Sequence, residues 1–569
     1  LNGNNSIGFT FMPNFNGTNS LRTINGVGIF EDQPDAVYFS QDQFYEERRQ
    51  MVYQMQSDHF IPKLKTRIHL DASYTDGYSN IPDFRTLGTF TFANGSVLSG
   101  LGDLPNTRDF RYLNEDMLDS RISFEFPIGE KPGKVRKIKV GAAYSYLDRD
   151  FNQYQYILAG TDSSGNVLSG SYAIPDGDLT AFLNPSNFEI TSYDFQGSPN
   201  KRAELFYLQT DVPGNRTIGF SEVMASYAMF DYSLNFKWRL AGGLRVEQAD
   251  IFGDIFAYDS AGYAKDDIRR KATGDDFLAN PGNINTTKFL PSISLIFKYR
   301  DDEKAAMNLR ANYSRTTAYP SIREITENNV YDFELRNLVF GNSNLKPVDI
   351  DNFDLRWEGY FKKGNSISVS AFYKYFKNHI ELLNFENANT WTNVDKSFVA
   401  GVELEGVKKL TKNLEFRANL AIIESETFVV IKELRDEDAN GVKDGIYELV
   451  PADTLTRKMF GQAPYLVNAI LSYNFEKLKG NITVSYNIQG KRLVIAATRY
   501  IPDVYEMPRN VLDVKFSKNL GKHFVTSLTV RDILNQPIRR KYDLVNGQNF
   551  DFDSYRWGTS INLGITYRL

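Results

Sequence analysis

The 569-residue sequence predicts an all-β protein, a transmembrane antiparallel up-and-down β-barrel of the outer-membrane type with about 18 strands. Three observations predict it. Segment after segment alternates apolar and polar side chains with a period of two, which sends successive Cβ atoms to opposite faces of a sheet. Short turns alternate strictly with long polar loops, as in a barrel whose tight turns are periplasmic and whose long loops lie outside. Aromatic residues are plentiful, with 42 Phe and 33 Tyr to supply two interfacial girdles.

The clearest unit is the stretch Asn352–Ile380. Ile367, Val369, Ala371, Tyr373 and Tyr375 fall on one face, Ser368, Ser370, Phe372 and Lys374 on the other. Phe353, Leu355 and Trp357 alternate with Asp354, Arg356 and Glu358, and Lys362–Asn365 joins the two runs as a tight hairpin turn. From the N-terminal side, strands are predicted near Ser6–Asn14, Arg48–Phe60 and Lys65–Thr75. The last of these sets Ile68, Leu70 and Ala72 against Arg67, His69 and Asp71. A charged face opposite an apolar one fits a wall with lipid outside and water inside.

The same reading continues in pairs: Asp116–Phe126 with Lys137–Tyr146, Val223–Leu234 with Phe236–Val246, and Phe289–Tyr299 with Ala306–Arg315. After the central hairpin come Ala400–Val407 with Leu414–Ile423, Leu466–Phe475 with Asn481–Lys491, Val511–Lys518 with Phe524–Val530, and finally Ser560–Leu569. The long loops fall at roughly 16–43, 80–108, 149–217, 249–286, 316–351, 427–464, 491–509 and 532–558. Loop parity makes the first strand run upward and the last run down to a periplasmic C-terminus, so the strand count is even.

Composition excludes several classes. The net charge of −5 leaves no electrostatic footprint for nucleic acid. No apolar run approaches the roughly 18 residues of a membrane-spanning helix. With no cysteine there are neither disulfides nor thiolate metal sites. His59, His69, His379 and His523 are scattered, and no catalytic motif occurs in a usable context, so the chain reads as a non-enzyme with no required cofactor.

One loop has the spacing of a calcium site. In Asp436–Glu448, oxygen side chains stand at Asp436, Asp438 and Asn440, Gly441 follows at the sharp turn, and Asp444 completes the first nine positions of an EF-hand-type loop. Tyr447 occupies the position of the bidentate acid and Glu448 arrives one residue late, so a solvated acidic loop with an Asn-Gly turn is weighed evenly against Ca²⁺. Lumen-facing charges such as Arg67, Asp71, Arg310, Arg417, Asp513 and Lys515 are mixed in sign, as in a wet interior. Trp391, Tyr319, Phe333, Phe340, Tyr500 and Tyr505 lie in loops, where they either stack on a ligand or pack the loops together.

The phrases Tyr313–Ile325 (YSRTTAYPSIREI), Gly341–Phe361 (GNSNLKPVDIDNFDLRWEGYF) and Ser368–Glu381 (SVSAFYKYFKNHIE) resemble the barrel domain of TonB-dependent outer-membrane receptors, above all the large Bacteroidetes-type versions. Arg531–Tyr542 and the terminal Asn562–Leu569 resemble that family's C-terminal end, with Tyr567 as the aromatic recognised during outer-membrane assembly. The resemblance implies a 22-stranded barrel closed by an N-terminal plug whose short peptide binds TonB. It implies import of a scarce bulky nutrient: a siderophore, a cobalamin, a glycan or a peptide. A surface lipoprotein lid and outer-membrane lipids are the further partners it implies. Residues 1–569 read as barrel throughout, opening on a strand with the plug and about four strands absent, which points to an incomplete N-terminus. A passive porin, marked by a loop folded into the lumen, and a barrel scaffold in an envelope or secretion complex are the alternative readings.

Overall fold

The computed structural model describes residues 4–27, 36–95, 106–129, 134–161, 215–255, 281–332, 337–385, 388–435, 448–496, 502–543 and 550–568, with short pieces between 97 and 210. Among the described residues, eighteen strands build the wall. They are β1 Asn5–Val27, β2 Val37–Ile61, β3 Thr66–Thr91, β4 Thr107–Pro127, β5 Arg136–Thr161, β6 Arg216–Ser233, β7 Trp238–Ile255, β8 Gly282–Asp301 and β9 Ala305–Ala318. The second half comprises β10 Val348–Phe361, β11 Asn365–Phe385, β12 Ala388–Lys409, β13 Leu414–Arg435, β14 Tyr465–Phe475, β15 Gly480–Gln489, β16 Arg509–Leu520, β17 Phe524–Arg531 and β18 Ser560–Tyr567. Each pairs antiparallel with the next. Among the described residues β1 pairs with β2 alone and β18 with β17 alone, so the curved sheet has two edges.

Burial is inverted relative to a water-soluble protein. In the central hairpin Phe353 stands opposite Tyr373 and Leu355 opposite Ala371, all on one face. Phe353 is 48% and Leu355 51% exposed, whereas Glu358 is 4%, Ser368 6% and Ser370 8% exposed on the other face. In water such a continuous apolar surface would drive aggregation. Against acyl chains it is solvated, while the polar face bonds to itself around the lumen.

Aromatic rows run along the apolar outer face at two levels. Above, Tyr313, Phe353, Tyr373 and Phe398 sit side by side on neighbouring strands with ring centroids 5.0, 6.4 and 6.0 Å apart. Phe11, Tyr53 and Tyr74 continue the row on β1–β3 at 5.0 and 6.2 Å. Below, Trp238 stacks on Phe297 at 4.4 Å, and Trp357 Nε1 donates to Tyr299 Oη at 2.6 Å. Amphipathic rings of this kind settle where one end is apolar and the other wet. The short turns lie at the lower end; in that between β10 and β11, Lys363 and Gly364 take left-handed φ of 63° and 74°.

The predicted strands all exist, but many are longer than predicted. Roughly 9–11 residues cross a bilayer, and β3 and β5 have 26 each. Much of the stretches 16–43, 80–108 and 149–217, expected as loop, therefore continues the wall above the membrane. There both faces are wet, so the apolar–polar alternation that reveals a strand is lost. Phe84 and Phe90 are fully buried in this rim, where Tyr38 packs on Phe90 at 4.8 Å. The stretches 491–509 and 532–558 supply a separate four-stranded sheet, Arg492–Ile495, Val504–Glu506, Ile538–Tyr542 and Asp551–Tyr555.

Candidate binding site in the barrel mouth

Beyond Ala318 the chain turns inward across the lumenal faces of β6, β7 and β8. Ser321 and Glu324 form a reciprocal capping box that starts the short helix α1, Ile322–Ile325. Ile322, Ile325 and Leu345 pack with Ile251 and Ile284, which β7 and β8 direct into the lumen. Glycine permits the close approach at two points. A Cβ at Gly282 would fall inside van der Waals distance of the Ile325 carbonyl, and one at Gly341 would collide with the Thr326 carbonyl.

Polar contacts fix the same segment. Tyr319 Oη donates to Glu247 at 3.0 Å, and Arg245 donates to the other Glu247 oxygen at 2.6 Å. Burial, with the Glu247 charge beside it, pushes the Tyr319 hydroxyl well above the usual tyrosine range. Asn342 Nδ2 donates to the Trp391 carbonyl at 2.8 Å, and Asn393 closes on the Lys346 backbone at 2.8 and 3.0 Å.

Of the loop aromatics read as ligand-stacking or loop-packing, Tyr319 and Trp391 pack against the apolar cluster under the segment. Phe340 lies in a short strand, Asn337–Phe340, that pairs in parallel with the start of β12. Tyr505 is covered by Lys491, whose Nζ stands 4.2 Å from the ring, and burial with the nearby Asp503 pushes its hydroxyl up to about 12. Tyr319 and Trp391 therefore pack the segment onto the wall. Phe333 and Tyr500 lie outside the described residues.

Beside the inward segment a cavity of about 490 Å³ opens at the mouth, lined by Phe44 of β2, Leu113 of β4 and Phe151 of β5, by Ile322 and Arg323 of α1, and by Trp557. Arg48, Arg111, Arg149 and Arg323 also reach its surface. Arg48 bonds Glu46 at 2.7 Å and Arg149 bonds Glu115 at 2.7 Å. Lower in the lumen the charges pair along the wall: Arg310 with Glu358 at 2.6 Å, Arg356 with Glu405 at 2.7 Å and Arg417 with Glu415 at 2.6 Å.

The other predicted charges do not converge on one site. Asp71 bonds His69 at 2.8 Å and Asp513 accepts the Asp532 amide at 2.8 Å, while Arg67 and Lys515 are exposed. His59 bonds Ser57 and Asn5, and His523 sits 3.0 Å from the Arg568 carbonyl. His379 stands 3.6 Å from the fully buried Glu381, which Arg457 holds at 2.7 Å. Among the described residues no cluster of histidines and carboxylates is arranged to hold a metal. The calcium-loop residues Asp436, Asp438, Asn440 and Asp444 lie outside the described residues.

The inward segment is what sequence reading missed, having placed 316–351 among the extracellular loops. A signal was present: Ser321-Ile-Arg-Glu324 ahead of an apolar residue is the pattern of a capping box. The cavity arginines had no such signal, because they come from strands and a helix far apart in sequence.

The model of the outer membrane protein beta-barrel family matches residues 209–567. No curated protein matches the sequence. Among solved structures, the siderophore receptor PiuA from Acinetobacter baumannii is similar over 100% of this chain and 82% of its own, at 13% identity and a TM-score of 0.53. The ferric enterobactin receptor PfeA from Pseudomonas aeruginosa matches over 99% and 80% at 12% identity, with a TM-score of 0.47. The pyoverdine outer-membrane receptor FpvA from the same organism matches over 99% and 78% at 11%, also with 0.47. At such identities the likeness is one of fold, and of these three the Acinetobacter receptor alone is close enough to carry it. That fold is an outer-membrane β-barrel.

Proposed function

The chain belongs to the outer membrane protein beta-barrel family, and from that premise we propose that it is the barrel of a TonB-dependent receptor importing a scarce, bulky nutrient. The observation that carries this reading is the mouth: wall strands of up to 26 residues rise past the lipid boundary and enclose a polar and aromatic cavity of about 490 Å³. A siderophore, the ligand class named for PiuA, is the first candidate; a cobalamin, a glycan or a peptide fits the same architecture. TonB, acting through a plug, and a surface lipoprotein lid complete the proposal. The experiment is uptake of labelled nutrient by native cells, with and without the gene and with and without a protonophore. Uptake that needs both the gene and the proton gradient supports the reading. Gene-dependent uptake that ignores the gradient contradicts it.

A second reading is favoured by one observation. The segment folded into the lumen between β9 and β10 has the placement of a constriction loop in a diffusion channel, whose flux would follow the concentration gradient alone. Calcium at 436–448 is a separate proposal. Unchanged calcium content in native-protein mass spectrometry of the Asp436→Ala, Asp438→Ala variant would sink it.

A further inference from the structure

We propose that the short turns at the lower end form a basic rim that binds anionic phospholipid headgroups of the periplasmic leaflet. This rests on the outer-membrane reading above, which puts those turns at the periplasmic face. Seven short turns are described in full: 62–65, 234–237, 302–304, 362–364, 410–413, 476–479 and 521–523. Every one of them carries a lysine, and ten of their 25 residues are lysine against three acidic ones, in a chain whose net charge is −5. Of the three acids, Asp302 is taken up by Arg300. Local structure does not require such turns. Tight hairpins select Asn, Asp and Gly, which adopt positive φ at little cost. Lys65, Lys363 and Lys479 nonetheless take left-handed φ of 51°, 63° and 49°.

Nor do the lysines serve the wall. Among the described residues Lys63, Lys237, Lys362, Lys412, Lys477 and Lys522 are exposed and make no ion pair. In the lumen, by contrast, Arg310, Arg356 and Arg417 each hold a carboxylate. Apolar tips accompany the charge: Leu64 is 69%, Phe236 74%, Leu410 53% and Leu478 52% exposed, each within two residues of a lysine. The lower aromatic row begins where the turns end. Trp238 follows Lys237, and Phe297, Tyr299 and Trp357 lie within five residues of the next turn. An apolar tip and a lysine beneath a row of rings suit a headgroup layer, with the rings at the acyl boundary and the ammoniums reaching phosphates. A zwitterionic headgroup answers part of that charge and an anionic one answers it in full. The turns join β2 to β3 at one end of the wall and β16 to β17 at the other, so the charge follows the whole rim. That distribution fits a shell of lipid better than a single protein epitope.

The test uses the full-length protein in mixed bilayers of phosphatidylcholine and phosphatidylglycerol, with bromine on the acyl chains of one lipid at a time. Of the four tryptophans, Trp238 and Trp357 stand on the outer face beside the turns, and Trp391 and Trp557 lie at the mouth. Quenching of tryptophan fluorescence therefore reports the lipid shell at the lower end. Brominated phosphatidylglycerol is expected to quench as a lipid held about threefold more tightly than brominated phosphatidylcholine. That preference disappears in about 0.5 M salt and in the variant carrying Lys237→Gln, Lys362→Gln, Lys363→Gln and Lys412→Gln. Lys515→Gln, in the lumen, leaves it unchanged. Equal quenching by the two lipids overturns the inference and leaves the turns to an acidic protein. A preference that survives salt or the four substitutions overturns it as well. Quenching by neither lipid overturns the lipid-facing assignment of the wall, and the outer-membrane reading with it.

Discussion

Gly341 shows how much one side chain can decide here. Its Cα hydrogen is all that separates it from the Thr326 carbonyl, so the inward segment seats only because position 341 lacks a Cβ. Gly341→Ala is expected to cost about 1–3 kcal/mol, the usual penalty of overpacking. The cost should fall on the segment rather than the wall: amide exchange of α1 rises while that of β7 and β8 holds. Unchanged protection of α1 would show that the segment is seated by something else. At the opposite end, in the turn after β8, Asp302 accepts Arg300 Nε at 2.8 Å and the amides of Lys304 and Ala305 at 2.8 and 2.9 Å. Arg300 first, then those amides, hold its carboxyl down at about 2 from an ordinary 3.8. A depressed acid stabilises the fold fully above its unfolded value and loses that contribution as pH falls through the folded one. Asp302→Asn should therefore melt below the parent near neutrality, and the gap should close between about pH 4 and pH 2. A gap independent of pH would remove the carboxylate from the account.

At the scale of the strand, the face a residue occupies outweighs its identity. Leu355 of β10 points to lipid between the aromatic rows, and Lys515 of β16 points to the lumen. Leu355→Arg is expected to cost about 2–4 kcal/mol in a bilayer, the depth-dependent price of a cation against acyl chains. Lys515→Gln should stay within about 0.5 kcal/mol. Denaturant unfolding of the reconstituted protein measures both, and a similar cost for the two would mean that the faces are misassigned. The membrane-spanning part of each strand was legible in sequence for this reason. Lipid on one side and water on the other impose alternation on Ile367–Tyr375 and Thr66–Thr75. Where β3 runs on to Thr91, water bathes both sides, alternation lapses, and a strand reads as a loop.

For the whole molecule, the strand number, the parity of turns and loops and the lipid face were all recoverable from pattern, because each repeats along the chain. The site was not. Its arginines meet only after β2, β4 and β5 have curved round to face a helix from the segment after β9. The central claim, a gated receptor rather than an open channel, is tested most directly by single-channel recording of the full-length protein in a planar bilayer. The account predicts a closed baseline, with the lumen obstructed and no steady conductance. A stable, open, ohmic channel of porin-like size would contradict it and transfer the inward segment between β9 and β10 to the role of a diffusion constriction.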